Sequence, residues 1–350
     1  MRTRGKNIVY RLIILILCTA VLAYPVFAEE PESDTVTFTN VNEAIAYVKK
    51  EQPHSLDLGA VSFSLNELLS IKQAMPENAK LSFCTTIGST VISDSDTAVD
   101  LNGLHDKLTA DDLEHLITLV PGVRKIDVVK HRELGNKVMV PLADKYPDID
   151  FVWLIVLSAR HSLSSGATAY STMNGTFEKD NRLSSSQLKP IKYAKHLRAL
   201  DLGHNRLDDI SFVADLPELR ILILADNRIK DISPLSACTH LQYVELFTNQ
   251  LKDISALGNC TELLDLNITT NKITDLKALD GCGKLERLWA SHNPLSDEGK
   301  QHFIDAHPGC NAMFNNEHAT SDGWRKHWRY DQYVSMFKNH VWKEFEPPAD

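Results

Sequence analysis

A repeat of 22 residues in the second half of the chain constrains the fold more than any other feature. Each repeat has apolar residues at its first, fourth and sixth positions and an asparagine at its ninth. The asparagines recur without a slip at Asn205, Asn227, Asn249, Asn271 and Asn293. A single coil of this length cannot bury its own apolar side, whereas stacked coils share one continuous core. The sequence therefore predicts a solenoid.

Each coil is predicted to contain a short strand followed by a turn. Apolar residues at alternate positions, such as Leu222 and Leu224, have the spacing of a strand with one buried face. The asparagine that follows donates and accepts through its amide, and we expect it to satisfy backbone groups of the turn. An aspartate four residues further on is expected to hold the opposite turn by local hydrogen bonds. We favour these structural roles over catalysis or metal binding. The aspartates are Asp209, Asp231, Asp253 and Asp275.

Three cysteines, Cys238, Cys260 and Cys282, share one position of the repeat. Earlier coils have Ala194 and Leu216 at that position. Exchange with alanine and leucine is typical of a small buried apolar residue. We therefore expect free thiols in the core, and we favour a zinc site less because no histidines recur with the cysteines.

Less regular repeats precede the 22-residue coils. Strand patterns around Val99, Ile126 and Val152 are spaced by 26 to 27 residues. A segment between the first two has apolar residues at helical spacing, with Thr109 or Asp111 as its N-cap. We attribute the longer period to a full helix on the convex side of the coil. Two earlier strands are predicted at residues 56–58 and 81–83.

Both ends of a solenoid need a cap, because an open end exposes its core. Residues 42–50 predict a capping helix at the N-terminal end, and residues 297–306 predict one at the C-terminal end, followed by a last strand within 310–314. Beyond them lies a segment rich in basic and aromatic residues, including Trp324 and Trp342. Such residues stack on nucleic acid in some proteins. We favour instead a tail that folds back over the last coils, with its basic groups on acidic surface.

The first 28 residues have the three parts of a secretory signal peptide. Four basic residues precede an apolar run at 12–26, and Ala28 ends a sequence that a signal peptidase accepts. An uncleaved anchor is less favoured, because the run is shorter than the roughly 20 residues that span a bilayer. Cleavage would change the formal net charge from −9 to −13, since no acidic residue is lost. A chain with this much negative charge is not expected to bind nucleic acid. No second apolar segment follows in the sequence, so no membrane span is expected after cleavage.

The coils resemble the internalin-like class of bacterial leucine-rich repeats in the pattern Asn-x-Ile-x-Asp-Ile-Ser-x-Leu at residues 227–235. About residues 55–330 also resemble exported leucine-rich repeat proteins of Gram-positive gut bacteria. This resemblance implies an α/β leucine-rich repeat solenoid, curved, with a parallel sheet on its concave face, helices or 3₁₀ turns on its convex face, and helical caps. It also implies binding of protein, glycan or other partners. The stretches that carry the second resemblance are 150–153, 167–172, 202–205 and 323–327.

Residues that flank the buried strand positions are predicted to point outward from the concave face. Several are large and apolar, although nothing in the repeat requires it. Exposed apolar clusters ringed by polar groups mark interaction sites, and aromatic residues are frequent hot spots. We therefore predict a site for an extracellular protein or glycan, and leave open that the tail or the loop at 162–186 covers it. The predicted ligand-binding residues are Ile221, Ile223, Tyr243, Glu245, Phe247, Asp265, Asn267, Arg287 and Trp289.

Two other functions fit the sequence less well. An enzyme needs a nucleophile with its base or a metal cluster, and no motif for either occurs. His302 and His307 lie five residues apart on a short predicted helix, and His204 and His292 are four coils apart. We expect no catalytic residue, metal or cofactor. A self-associating structural protein of the cell envelope is a further alternative.

The chain is expected to be secreted or displayed at the cell surface as a non-catalytic recognition module. Six segments are predicted: a signal peptide at 1–28, an N-terminal capping helix at 29–55, divergent longer repeats at 56–196, five regular 22-residue repeats at 197–293, a C-terminal cap at 294–316 and an aromatic and basic tail at 317–350.

Overall fold

The computed structural model describes residues 36–173 and 182–348. Its main feature is a seven-stranded parallel sheet in which the strands follow one another in chain order. Each strand belongs to one coil, so each coil stacks on the one before it, as a solenoid requires. The predicted signal peptide lies outside the described residues. The strands are β9 (Ala169–Ser171), β10 (Ala199–Asp201), β11 (Ile221–Ile223), β12 (Tyr243–Glu245), β13 (Asp265–Asn267), β14 (Arg287–Trp289) and β15 (Asn311–Met313).

The pairing of these strands follows the 22-residue period. Leu200, Leu222, Val244, Leu266 and Leu288 are partners across β10 to β14, and all five are fully buried. Because the central residue of each strand points into the solenoid, these side chains form one apolar row through the coils. Burying one such side chain contributes about 1.5–3 kcal/mol. The row therefore couples the stability of each coil to its neighbours.

Short 3₁₀ helices line the convex side of the regular coils. The first aspartate of the repeat set, Asp209, accepts a hydrogen bond from the Ser211 N–H through Oδ1 at 2.8 Å, and the next three coils repeat this bond. The role predicted for these aspartates is confirmed. The 3₁₀ helices are Lys189–Tyr193, Ser211–Asp215, Ser233–Ala237, Ser255–Asn259 and Lys277–Leu279.

The repeat cysteines are buried free thiols, as predicted. Burial raises the pKa of Cys238 and Cys260 to about 12 and that of Cys282 to about 11. Thiols with such high pKa values are poor nucleophiles and poor metal ligands at neutral pH, because the thiolate is the reactive form.

Longer coils with α-helices on their convex side precede the regular ones. Thr109 caps α3 (Ala110–Leu119) by accepting a hydrogen bond from the Asp112 N–H, which confirms the predicted helix start. The predicted strands at 56–58 and 81–83 lie within β1 (Ser55–Val61) and β2 (Lys80–Ile87). Two sheets form here, one of β1 (Ser55–Val61), β2 (Lys80–Ile87) and β3 (Thr90–Ser93), and one of β4 (Ala98–Asp100), β5 (Lys125–Asp127) and β6 (Asp150–Val152); the helices between parallel strands are α2 (Leu65–Ala74), α3 (Ala110–Leu119) and α4 (Asn136–Lys145).

The strand register around Val152 is wrong by one residue in the sequence prediction. Phe151, not Val152, pairs with Ile126, and Phe151 and Trp153 point into the core. Three large apolar residues stand in succession at 151–153, so no alternation marks which of them is buried. An antiparallel hairpin of β7 (Leu154–Val156) and β8 (Ser162–Ser164) then separates β6 from β9.

Helices cap the coils as predicted. At the N-terminal end is α1 (Val41–Glu51), with Asn40 as N-cap, and at the C-terminal end is α6 (Asp297–Ala306), followed by β15. A short helix, α5 (Ser185–Leu188), leads into the regular coils.

The tail begins with a 3₁₀ turn at Trp324–Lys326 and continues as α7 (Trp328–Asn339). It lies across the concave face, and α7 contacts β9 and β10. The predicted fold-back is therefore confirmed. The tail also reaches further than expected, because it covers coils from the first of the regular repeats to the last.

Candidate functional site

All nine residues predicted to bind a ligand are on the concave face, and all are buried. The most exposed of them, Phe247, retains 7% of its accessible surface, and Tyr243 and Asp265 retain none. The prediction that they face solvent is wrong, because the tail packs on them. The prediction that they bind a ligand stays a prediction. The nine are Ile221, Ile223, Tyr243, Glu245, Phe247, Asp265, Asn267, Arg287 and Trp289.

Trp324 anchors the tail at the centre of this face. Its ring contacts those of Tyr243 and Trp289, with centroids 5.6 and 5.0 Å away. Its indole Nε1 donates to Glu245 Oε1 at 2.7 Å, and Trp289 Nε1 donates to the Ser321 carbonyl at 3.1 Å. Tryptophan is suited to such a position because a buried ring needs a partner for its N–H.

A buried cluster of charges holds the tail at the next coils. Asp265 accepts hydrogen bonds from Arg287 Nε at 2.7 Å and from Arg329 Nη1 at 3.0 and 3.1 Å. Arg329 also contacts Glu286. Two arginines thus compensate the fully buried carboxylate of Asp265, as a buried charge requires.

A cavity of about 470 Å³ remains between the concave face and the tail. Strands β9 to β12 and the turns that follow them form one wall, and Arg325 with α7 and His340 forms the other. Of the nine predicted residues, only Ile223, Glu245 and Phe247 line this cavity. The remaining side chains from the coils are Ser171, Met173, Asp201, Gly203, His204 and Ala225, and those from the tail are Arg325, Tyr330, Tyr333, Val334, Phe337, Lys338 and His340.

Asp201 is a buried carboxylate that lines this cavity. It accepts hydrogen bonds from the Ser171 hydroxyl at 2.7 Å and from the Gly203 N–H at 3.0 Å. Burial raises its pKa to about 6, the two hydrogen bonds oppose this rise, and the charge of Glu245 adds to it. A carboxyl group with a strongly shifted pKa in a cavity is a frequent mark of a functional site. Sequence reasoning placed Asp201 on the concave face but did not single it out.

Glu245 is the second buried carboxylate. Its Oε1 accepts hydrogen bonds from Trp324 Nε1, from the Tyr243 hydroxyl at 2.5 Å and from the Tyr333 hydroxyl at 3.4 Å. Burial and the charge of Glu245 hold the pKa of both tyrosines well above the ordinary value. Both hydroxyls therefore keep their protons and donate to the carboxylate. Its other oxygen, Oε2, accepts no hydrogen bond from the described residues, although Glu245 lines the cavity.

The repeat asparagines lie beneath the concave face and not in the cavity. Asn249 is representative: its Nδ2 donates to the carbonyls of Leu224, Leu246 and Phe247, and its Oδ1 accepts from the Ile229 N–H of the preceding coil at 3.0 Å. The same arrangement recurs in neighbouring coils. Asn205, Asn227, Asn249, Asn271 and Asn293 thus join adjacent coils by hydrogen bonds.

The histidines weighed for an enzyme lie apart. His302 contacts Asp280 at 3.0 Å on the convex side, whereas His307 is buried against backbone carbonyls of Phe303 and Leu279. His204 and His292 precede repeat asparagines at corresponding positions of separate coils. Over residues 36–173 and 182–348, no group of three or more His, Cys, Asp or Glu side chains is placed to hold a metal ion. Within the same residues, no helix combines the length and the apolar character needed to cross a membrane.

The comparisons with known proteins concern the repeats. Residues 195–237 and 217–259 match a family model described as Leucine Rich repeats (2 copies). The matched residues are therefore leucine-rich repeats, and the stacked 22-residue coils that contain them form a solenoid. No curated protein sequence matches the chain.

Similar solved structures are leucine-rich repeat proteins of bacteria. Internalin C2 of Listeria monocytogenes is 16% identical over 74% of this chain and 88% of its own, with a TM-score of 0.33. An internalin (inlF) of the same organism is 17% identical over 81% and 92%, with a TM-score of 0.33. A leucine-rich repeat protein of Leptospira interrogans is 14% identical over 80% and 100%, with a TM-score of 0.36.

Proposed function

We propose that this protein is an exported, non-catalytic recognition module that binds an extracellular protein or glycan at the cavity beside α7. The observation that supports this best is the cavity itself, which stays open where the tail covers the rest of the concave face. Its walls combine apolar and aromatic side chains with polar and charged ones. Binding sites usually have this composition.

The proposed site keeps part of the set predicted from sequence. Ile223, Glu245 and Phe247 line the cavity from the coils, and we add Met173 and Val334, which are 37% and 42% exposed at its edge. The other six predicted residues lie under the tail, so a partner would reach them only after the tail has moved. Rigid coils on one side and a helix on the other give a site that is largely preformed, which lowers the entropic cost of binding.

A substitution at the edge of the cavity tests the proposed site. Val334 lines the cavity, whereas Val341, on the same tail and 49% exposed, does not. We expect Val334→Glu to weaken capture of a partner from a protein and glycan array by on the order of tenfold, because it places a charge at an apolar contact. Val341→Glu is the matched control and should capture the partner as the wild type does. Equal capture by both variants and the wild type would place the binding surface elsewhere.

Export is tested separately. If residues 1–28 are a signal peptide, protein recovered from the medium or surface of an expressing bacterium should begin at Glu29, and N-terminal sequencing measures this directly. A product that retains Met1 and sediments with membranes would support the uncleaved anchor instead.

A further inference from the structure

The two carboxylates of the cavity lack the compensation that the third buried carboxylate of this face has. Asp201 and Glu245 are 8% and 2% exposed, and no Lys, Arg or His nitrogen of the described residues lies within 4.0 Å of either carboxylate. Asp265 is fully buried on the next strand, β13, and forms ion pairs with Arg287 and Arg329. Buried charges in proteins are normally paired, because desolvation otherwise disfavours them. Within the described residues, no positive group therefore contacts the carboxylate of Asp201 or of Glu245.

Asp201 and Glu245 lie in one register row of the sheet. Asp201 pairs with Ile223 on β11, and Ile223 pairs with Glu245 on β12. The Cα atoms of Asp201 and Glu245 are thus two strand spacings apart, on the order of 10 Å. Both side chains line the same cavity, and so does Ile223.

Aromatic rings surround the same space. Phe247 lines it from the coils, and Tyr330, Tyr333 and Phe337 line it from the tail. The faces of such rings attract cations, most strongly where water is excluded. Carboxylates and aromatic rings together form the usual environment of a bound ammonium group. Neutral or anionic ligands would leave both carboxylates uncompensated.

We infer that the cavity binds an organic cation, an ammonium group carried on an apolar stem. This inference rests on the proposed function, because it names the ligand chemistry of the same site. The ammonium group lies between Asp201 and Glu245, and its stem passes the aromatic rings toward the opening. Arg325, Lys338 and His340 also line the cavity, but all three are exposed, so water weakens the repulsion between their charges and a bound cation.

Ligands that differ only in charge test this inference. Choline and its neutral carbon isostere, 3,3-dimethyl-1-butanol, have nearly the same shape, and n-butylammonium has the form of a lysine side chain. Isothermal titration at pH 7.5 with the mature protein should give a Kd for one of the two cations at least ~10-fold lower than for the neutral isostere, as expected for a charge-assisted contact. Lysine-containing peptides and their acetyl-lysine counterparts then distinguish a lysine side chain of a protein from a free amine as the source.

Isosteric variants connect the binding to the two carboxylates. Glu245→Gln retains an oxygen that accepts from Tyr243 and Trp324, and Asp201→Asn retains the shape of the side chain. Each should weaken cation binding by ~10-fold or more, since a hydrogen-bonded charge is lost. Glu298→Gln, on α6 and outside the cavity, removes the same charge and should bind as the wild type does.

Binding should also depend on pH through Asp201. The carboxyl group has a pKa of about 6, so it is neutral below that pH and anionic above it. The other titratable groups that face it are Glu245 and His204 from the coils and Tyr333, Arg325, Lys338 and His340 from the tail. Cation affinity should therefore rise as the pH rises through about 6, and Asp201→Asn should flatten that rise.

Any of three results would overturn the inference: that the neutral isostere binds as tightly as choline, that neither cation binds, or that Glu245→Gln and Asp201→Asn bind cations as the wild type does. None of these results would contradict the proposed function, which the Val334→Glu comparison tests without any assumption about the charge of the ligand. If Val334→Glu still loses the partner, the cavity binds something other than a cation.

Discussion

At the scale of single residues, the coils depend on a polar residue in an apolar core. Each repeat asparagine uses both ends of its amide on backbone groups, including groups of the preceding coil. The residue just before it has a left-handed backbone in every regular coil, with φ between 51° and 57°. Threonine is poorly suited to this conformation because it is β-branched, whereas aspartate and histidine tolerate it better. The turn is therefore strained in the two coils that have a threonine there, Thr248 and Thr270. The asparagine that follows holds the turn in place in every regular coil. The residues concerned are His204, Asp226, Thr248, Thr270 and His292.

Removal of one asparagine should destabilise the solenoid strongly. Asn249→Ala would leave the buried Ile229 N–H without its acceptor, and the Leu224 carbonyl would keep Asn227 Nδ2 as its remaining amide donor. We expect a loss of about 1–3 kcal/mol in the free energy of unfolding, which is the cost of one unsatisfied buried group. Urea denaturation followed by circular dichroism measures it. Asn311→Ala, at an exposed position of β15, is the control and should change stability by less than about 0.5 kcal/mol. A similar loss in both variants would contradict the role assigned to the asparagine.

At the scale of secondary structure, the predictable elements are those with a local signal. The strands of the regular coils could be placed because the period of 22 recurs five times. Helix α3 could be placed because a capping residue precedes an amphipathic segment, and α6 because Pro308-Gly309 follows a segment that contains Phe303 and Ile304. Strand β9 was not predicted, because Ala169-Tyr-Ser171 has neither the leucine pattern nor a following asparagine. Its membership of the sheet depends on pairing with β10, which is a tertiary contact.

The position of α7 shows the limit of local signals more clearly. Aromatic and basic residues predicted a tail that folds back, but not where it lies. Asp265 and Arg329 are 64 residues apart in sequence, and nothing near either residue marks the other as its partner. For the same reason, the nine predicted ligand-binding residues were correctly placed on the concave face, but the prediction that they are exposed to solvent was wrong. The cavity arises only where α7 meets the coils, so its carboxylate Asp201 had no distinguishing signal in the sequence.

At the scale of the whole molecule, two apolar clusters stabilise different parts. The coil interior forms one cluster, which runs from α1 to α6. A second cluster lies on the concave face beneath the tail and contains Tyr243, Trp289, Trp324 and Phe337. Because the sheet separates the two clusters, we expect the coils to keep their own core if the tail is loosened. The tail would then unfold before the coils do.

Loosening the tail with a single substitution tests that independence. Trp324→Ala removes the ring that contacts Tyr243 and Trp289 and the N–H that donates to Glu245. A buried tryptophan replaced by alanine costs about 3–5 kcal/mol. If that loss falls on the tail, amides of α7 should exchange hydrogen at least on the order of 100-fold faster, while amides of β11 to β13 keep their protection. Hydrogen exchange read by mass spectrometry separates the two segments.

The matched control is Trp328, a half-buried tryptophan of the same tail. Its aromatic and cation–π contacts are with His327, Arg329 and Phe345, all within the tail. Trp328→Ala should therefore change α7 exchange much less than Trp324→Ala does. Equal loss of protection in α7 and in β11 to β13 for Trp324→Ala would mean that tail and coils unfold as one unit. The concave face would then be a permanent interior, and the cavity beside α7 would be the whole of the surface that this face offers to a partner.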